Sequence, residues 1–153
     1  MRAWELWLPG IVAVALGAAI WYSRRRRAAR VGDPRSGEIW WAEVPYTDGS
    51  GSKVRPCLVL LRHRRGIVVL KITSRDKGHR RDHVLIPTKG WDPWARHDSY
   101  LNLGEPIMVR PDAFERRAGA CDPATLKRIA RRPGLLRRDL AALTSPRADG
   151  GGR

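Results

Sequence analysis

Apolar positions are laid out along the chain in three textures. Residues 6–22 read LWLPGIVAVALGAAIWY, apolar on every face of a helix and free of charge. From residue 37 to 109 the apolar positions come in short runs, alternating or continuous, and each run is bounded by Gly, Pro or charged loops. That texture predicts strands at 37–44, 55–62, 67–73, 82–87, 100–103 and 106–109. The unbroken run 57–61 implies a strand buried on both faces, and Gly66 marks the hairpin into the next strand. Trp91 and Trp94 lie in the irregular stretch 88–98, and packing over one end of the domain is expected for both. Helical texture appears only late. Asp122 precedes Pro123 as an N-cap precedes a first-turn proline. Leu126, Ile129 and Ala130 share a side, and Pro133-Gly134 ends the run. Residues 114–119 read as a helical turn and 135–143 as a second short helix. Many short strands with few helices predict a mainly β fold, a small barrel or sandwich with appended helices.

This layout divides the chain into residues 1–23, a basic linker at 24–36, a barrel domain at 37–143 and a disordered tail at 144–153. The run at 6–22 has 17 residues, at the short end of the ~17–25 that a spanning helix needs. Trp4 and Trp7 flank one end, Trp21 and Tyr22 the other, as an aromatic belt does. Arg24, Arg25, Arg26 and Arg27 follow at once. A cleavable signal peptide carries its positive charge before the apolar stretch, not after it. The expectation is one transmembrane helix ahead of the domain, the N-terminus outside and the domain cytoplasmic, with Arg24 to Arg27 on anionic headgroups.

Charge sharpens the picture of partners. The chain holds 30 Lys and Arg against 15 Asp and Glu, a formal charge of +15. Residues 36–153 alone carry 23 basic and 13 acidic side chains, a surplus of ten. The domain is therefore basic without the arginine run, and polyanions are its expected partners. Two cysteines, Cys57 and Cys121, are too few for a disulfide framework. Cys57, inside the apolar run, reads as a buried thiol. His63, His79, His83 and His97 are scattered among arginines, where solvated surface positions are expected, and no Cys/His cluster has zinc-site spacing. Neither a metal nor a cofactor is expected.

Three segments in order carry a resemblance: Gly37-Glu38-Ile39-Trp40-Trp41, then Lys53-Val54-Arg55-Pro56-Cys57-Leu58-Val59-Leu60, then Ile72-Thr73-Ser74. Together they resemble the MazF/PemK toxin family, over about residues 36–132. The resemblance implies an SH3-like barrel with appended helices, a homodimer, an antitoxin partner and metal-independent cleavage of single-stranded RNA. It places the family's arginine on Arg55, its threonine on Thr73 and its later acidic position on Glu105. At that last place Pro106 follows, where the family has Gln.

Metal-free cleavage uses the RNA's own 2′-hydroxyl as nucleophile and leaves a 2′,3′-cyclic phosphate and a 5′-hydroxyl. The protein must supply positive charge for the phosphorane, a proton acceptor and a proton donor. Arg55 suits the first task because its planar fork holds two phosphate oxygens. Thr73 suits hydrogen-bond donation to a phosphate oxygen. Glu105 is the base that the resemblance implies; His79 and His83 qualify by chemistry alone. Lys53, Arg75, Lys77, Arg80 and Arg81 are candidate phosphate contacts, and Tyr46 a platform for an unpaired base. Taken singly, each has a plainer reading: a surface cation, a good β residue, a solvated carboxylate. A second function stays open beside the nuclease, a catalytically inactive barrel that recruits RNA or a protein partner to the membrane face.

Overall fold

A computed structural model describes residues 14–19 and 32–131. Residues 32–131 form seven strands and one α-helix: β1 (Glu38–Pro45), β2 (Ser52–His63), β3 (Gly66–Thr73), β4 (His83–Ile86), β5 (Ser99–Asn102), β6 (Ile107–Val109), β7 (Phe114–Ala120) and α1 (Pro123–Ala130). All pairings are antiparallel, in the order β4-β5-β3-β2-β1-β7, with β6 also on β3. The expected mainly β architecture is therefore observed.

The continuous apolar run does bury both faces of β2. Leu58 joins Ile39, Leu70, Ile72, Val84, Leu101 and Ile129 in one core cluster. Its neighbours Cys57 and Val59 join Trp40, Ala42, Val44, Val69 and Phe114 in another. Strand alternation sends successive side chains to opposite faces, so one sheet separates two cores. β3 holds the assembly together. It pairs β2 along one side; on the other, residues 67–69 pair β6 and residues 72–73 pair β5.

α1 begins where its cap was expected. The Asp122 carboxylate accepts a hydrogen bond from the Thr125 amide at 2.8 Å, with Pro123 in the first turn. Ile129 is buried and Leu126 packs against the same core, as expected; Thr125 is buried beside them, while Ala130 is exposed. We expect Asp122→Ala to lower stability by about 1 kcal/mol, the usual worth of a cap, in denaturant unfolding.

Four expectations are corrected. Residues 114–119, expected as a helical turn, belong to β7, which pairs β1 from Ala120 down to Phe114. A 3-10 turn at Pro111–Ala113 precedes it. Burial of Phe114 at 2 % exposure, edge-on to Trp40, and pairing with β1 outweigh the local helix preference of Glu115, Arg116 and Arg117. Trp91 packs as expected, its indole N–H donating to the Pro87 carbonyl at 2.9 Å, but Trp94 is 91 % exposed. His83, expected on the solvated surface, has a side chain only 6 % exposed, because it opens β4 opposite Asn102 of β5.

The fourth correction concerns the membrane. Among the described residues no helix is long and apolar enough to cross one. Of the apolar run only residues 14–19 are described, and they are helical. The single-pass location expected from the sequence is withdrawn on this ground. The rest of residues 6–22, Arg24 to Arg27, most of the linker, the helix at 135–143 and the tail at 144–153 lie outside the described residues.

Candidate active site

Pro56 opens the site. It pairs Trp41 of β1 but has no N–H for a ladder on its other side. The β2–β3 ladder starts at Cys57↔Lys71 and runs away from Pro56. Beyond that point the strands part, and a cleft of about 620 Å³ lies between residues 53–56 and residues 71–75. His83, Asn102, Trp91 and Asp92 contribute further lining.

Register fixes which side chains meet there. Continuing the β2–β3 pairing two residues past Cys57↔Lys71 sets Arg55 across from Thr73. β5 adds its own rungs, with Ile72 opposite Leu101 and Thr73 opposite Tyr100. The next rung brings Asn102 beside Lys71, and His83 pairs Asn102 from β4. Alternation therefore gathers Arg55, Lys71, Thr73, Asn102 and His83 on one face, opposite that of buried Ile72, Leu101 and Val84. Arg55 and Thr73, eighteen positions apart in the chain, line one cleft.

The cleft is strongly cationic. Lys53, Arg55, Lys71, Arg75 and Lys77 line it against a single carboxylate, Asp92. Among the described residues, Lys71 alone of those five forms an ion pair, with Glu105 at 2.7 Å. Arg55 stands out further. Its Nε is buried and finds no hydrogen-bond partner among the described residues. Its guanidinium carbon sits 5.9 Å from the centre of the Tyr46 ring. A buried donor left unpaired costs about 1–3 kcal/mol, which an incoming anion recovers. The Thr73 hydroxyl oxygen accepts from the Arg75 amide at 3.2 Å, so its own proton stays available for donation.

The remaining predicted residues divide clearly. Lys53, Arg75 and Lys77 line the cleft, and half-exposed Tyr46 stands beside Arg55. Arg80, Arg81 and His79 are exposed on the following loop and are not in the lining. Arg80 is held by Asp82 through two hydrogen bonds, at 2.9 and 2.7 Å. Glu105 is not among the residues that line the cleft, though it is bonded to one of them. One of its oxygens takes the Lys71 ammonium at 2.7 Å, the other the Thr47 hydroxyl at 2.8 Å. Burial pushes its carboxyl up, but the bonds from Lys71 and Thr47 and the charges of Lys71 and Arg55 outweigh that and hold it below its ordinary value. Such a carboxylate ties the β1–β2 loop to β3 and is a poor proton acceptor.

Sequence reasoning did not single out Lys71, Asn102 or the pair Asp82–His83. Asp82 accepts from Arg80 and from the imidazole, whose Nδ1 is 2.9 Å from Oδ1. These bonds, Arg80 first, hold its carboxyl well below the carboxylate range. The adjacent acid–histidine pair at a strand start was the signal available in the sequence. Cys57 is fully buried, as expected, and burial pushes its thiol up to about 12, so it is no nucleophile at neutral pH. Among the described residues no three His, Cys, Asp or Glu side chains are grouped to hold a metal ion. A second cavity, of about 350 Å³, contains Arg110, which is already bound by Asp112 at 3.0 and 2.8 Å.

Comparison with known proteins adds the following. The model of PemK-like, MazF-like toxins of type II toxin–antitoxin systems matches residues 35–133. Among solved structures, the chain is similar to an endoribonuclease in complex with its cognate antitoxin from a mycobacterial species. Identity is 20 %, TM-score 0.51, over 74 % of this chain and 99 % of that one. It is also similar to the Mycobacterium tuberculosis toxin MazF-mt6, at 18 % identity and TM-score 0.50, over 67 % of this chain and 95 % of that one. At these identities the likeness concerns the fold. No curated protein matches the chain at a significant level.

Proposed function

Because the chain belongs to the PemK-like, MazF-like family of type II toxins, we propose that it is an endoribonuclease cleaving single-stranded RNA without a metal. The observation that carries this reading is the unpaired, buried Nε of Arg55 in a cationic cleft that Thr73 also lines. On this reading the scissile phosphate enters between β2 and β3. Arg55 binds two of its oxygens, and Thr73 donates to one of them. As the 2′-oxygen attacks, charge builds on the equatorial oxygens, where a fixed guanidinium does the most good. The five cations of the cleft supply that charge from the chain itself. Lys53, Arg75 and Lys77 lead the flanking phosphates in and out, and Tyr46 offers a ring to an unstacked base.

We further propose an SH3-like barrel, a homodimer and an antitoxin partner. The antiparallel strand order, with β2, β5 and β6 all paired to β3, supports the first. The relative solved in complex with its cognate antitoxin supports the last. An antitoxin suited to this cleft is acidic, because it must compensate unpaired cations.

The test is cleavage of a mixed-sequence, unstructured RNA by the purified chain in the presence of a chelator. Fragments with 5′-hydroxyl and 2′,3′-cyclic phosphate ends are expected. A folded chain that binds the RNA and leaves it intact overturns the nuclease reading and favours a binding module.

A further inference from the structure

The cleft needs a proton acceptor, and the geometry points to His83: we propose that its imidazole takes the 2′-hydroxyl proton, with Asp82 as its positioning residue. This inference rests on the ribonuclease reading above and names a further residue for that reaction.

His83 lines the same cleft as Arg55 and Thr73, and its side chain is 6 % exposed. Its Nδ1 lies 2.9 Å from Asp82 Oδ1. An ionised carboxylate only accepts, so Nδ1 must carry the proton in the neutral ring. The lone pair is then on Nε2, the nitrogen left for substrate. Arg80 completes the device by gripping both Asp82 oxygens, so the imidazole is held by a partner that is itself held. The carboxylate also stabilises the imidazolium once the proton arrives, as an oriented acid does for a catalytic base.

Other groups in reach do not take this role. Glu105 is outside the lining and has both oxygens engaged, one by Lys71 and one by Thr47. Asp92 lines the cleft, but on the irregular stretch after β4 rather than on the face that carries Arg55 and Thr73. The remaining charged groups facing His83 are Lys71 from β3, Arg75 and Lys77 from the next loop, and Arg55 from β2; β5 contributes the neutral Asn102.

The step balances as follows. Nε2 takes the proton of the 2′-hydroxyl, the O2′–P bond forms and the P–O5′ bond breaks. The leaving 5′-oxygen takes a proton from solvent, and the imidazolium returns one to solvent. No water is consumed, and the products are the cyclic phosphate and a 5′-hydroxyl.

The experiment is a pH–rate profile of RNA cleavage by the full chain, wild type and variants, with thermal unfolding recorded for each. Wild-type activity is expected to fall on the acid side as the imidazole protonates. His83→Gln should lower kcat about 10²–10⁴-fold, the usual range for a general base, and abolish that acid limb. Free imidazole should restore activity to His83→Ala. Asp82→Asn should move the acid limb to lower pH, because the imidazolium loses its partner; a merely structural role for Asp82 leaves the limb in place. Glu105→Gln should leave the limb where it is. Active wild type with an unchanged limb in His83→Gln, or a limb lost in Glu105→Gln, overturns the inference alone. Inactive wild type overturns the ribonuclease reading and this inference with it. If His83→Gln does not fold, Asp82→Asn decides, and an unmoved limb counts against the proposal.

Discussion

Arg55→Ala is expected to lower RNA cleavage about 10²–10³-fold while leaving the unfolding midpoint almost unchanged. The magnitude is that of removing one fixed donor to a developing oxyanion, roughly 3–4 kcal/mol of barrier. The independence from stability follows from the native environment of the side chain. Arg55 makes no ion pair among the described residues, and its Nε is already unsatisfied. Deleting the guanidinium therefore removes a buried, unpaired donor and a contact with the Tyr46 ring, terms that oppose each other. Arg55→Lys should recover only part of the lost rate, since an ammonium is a point charge without the planar fork. Single-turnover cleavage of one RNA by the three proteins, alongside their denaturant melts, measures both halves. A variant that melts early and loses activity only in proportion would reduce Arg55 to a structural residue.

The converse effect belongs to the core. Leu70→Ala should destabilise the domain by about 2–5 kcal/mol, a large share of the ~5–15 kcal/mol that holds a domain of this size. Leu70 is fully buried on the central strand, paired with Leu58 and packed in the cluster that contains Ile39, Ile72 and Leu101. Neighbours tied into three pairings of β3 have little freedom to collapse into the space left behind. A fall in the melting temperature of about 10–30 °C is expected at roughly 4–8 °C per kcal/mol. A change below 1 kcal/mol would mean that β3 is not the strand on which the two cores rest.

Local pattern carried most of the fold because strands write their burial into alternation. Trp40, Ala42 and Val44 fall on one face, and the unbroken run at Cys57, Leu58 and Val59 on both. Pairing partners are not local, and β7 shows the consequence. Glu115, Arg116 and Arg117 favour helix by themselves, and only the free edge of β1 and the pocket for Phe114 draw them into a strand. The site divides along the same line. Arg55 and Thr73 were legible because flanking motifs, Arg-Pro and Thr-Ser, mark the strand ends that carry them. Lys71, Glu105 and Thr47 come together from three distant stretches, and nothing near any of them announces the others. His83 was named from the sequence as a possible base, but its charged neighbours, Arg80, Arg81 and Asp82, read as surface and hid its burial. Two of those neighbours are instead what holds its ring in place. The membrane location rested on composition at residues 6–22 alone, and among the described residues no helix is long and apolar enough to cross a membrane.

Convergence of Arg55 and Thr73 on one phosphodiester is the central claim, and a double-mutant cycle tests it most directly. Cleavage rates are measured for wild type, Arg55→Ala, Thr73→Val and the double variant on one RNA. Two groups that grip the same phosphate are predicted to be coupled, the double variant losing less than the product of the single losses by about 0.5–3 kcal/mol. Losses that simply multiply would contradict the account and place the two side chains on separate parts of the substrate.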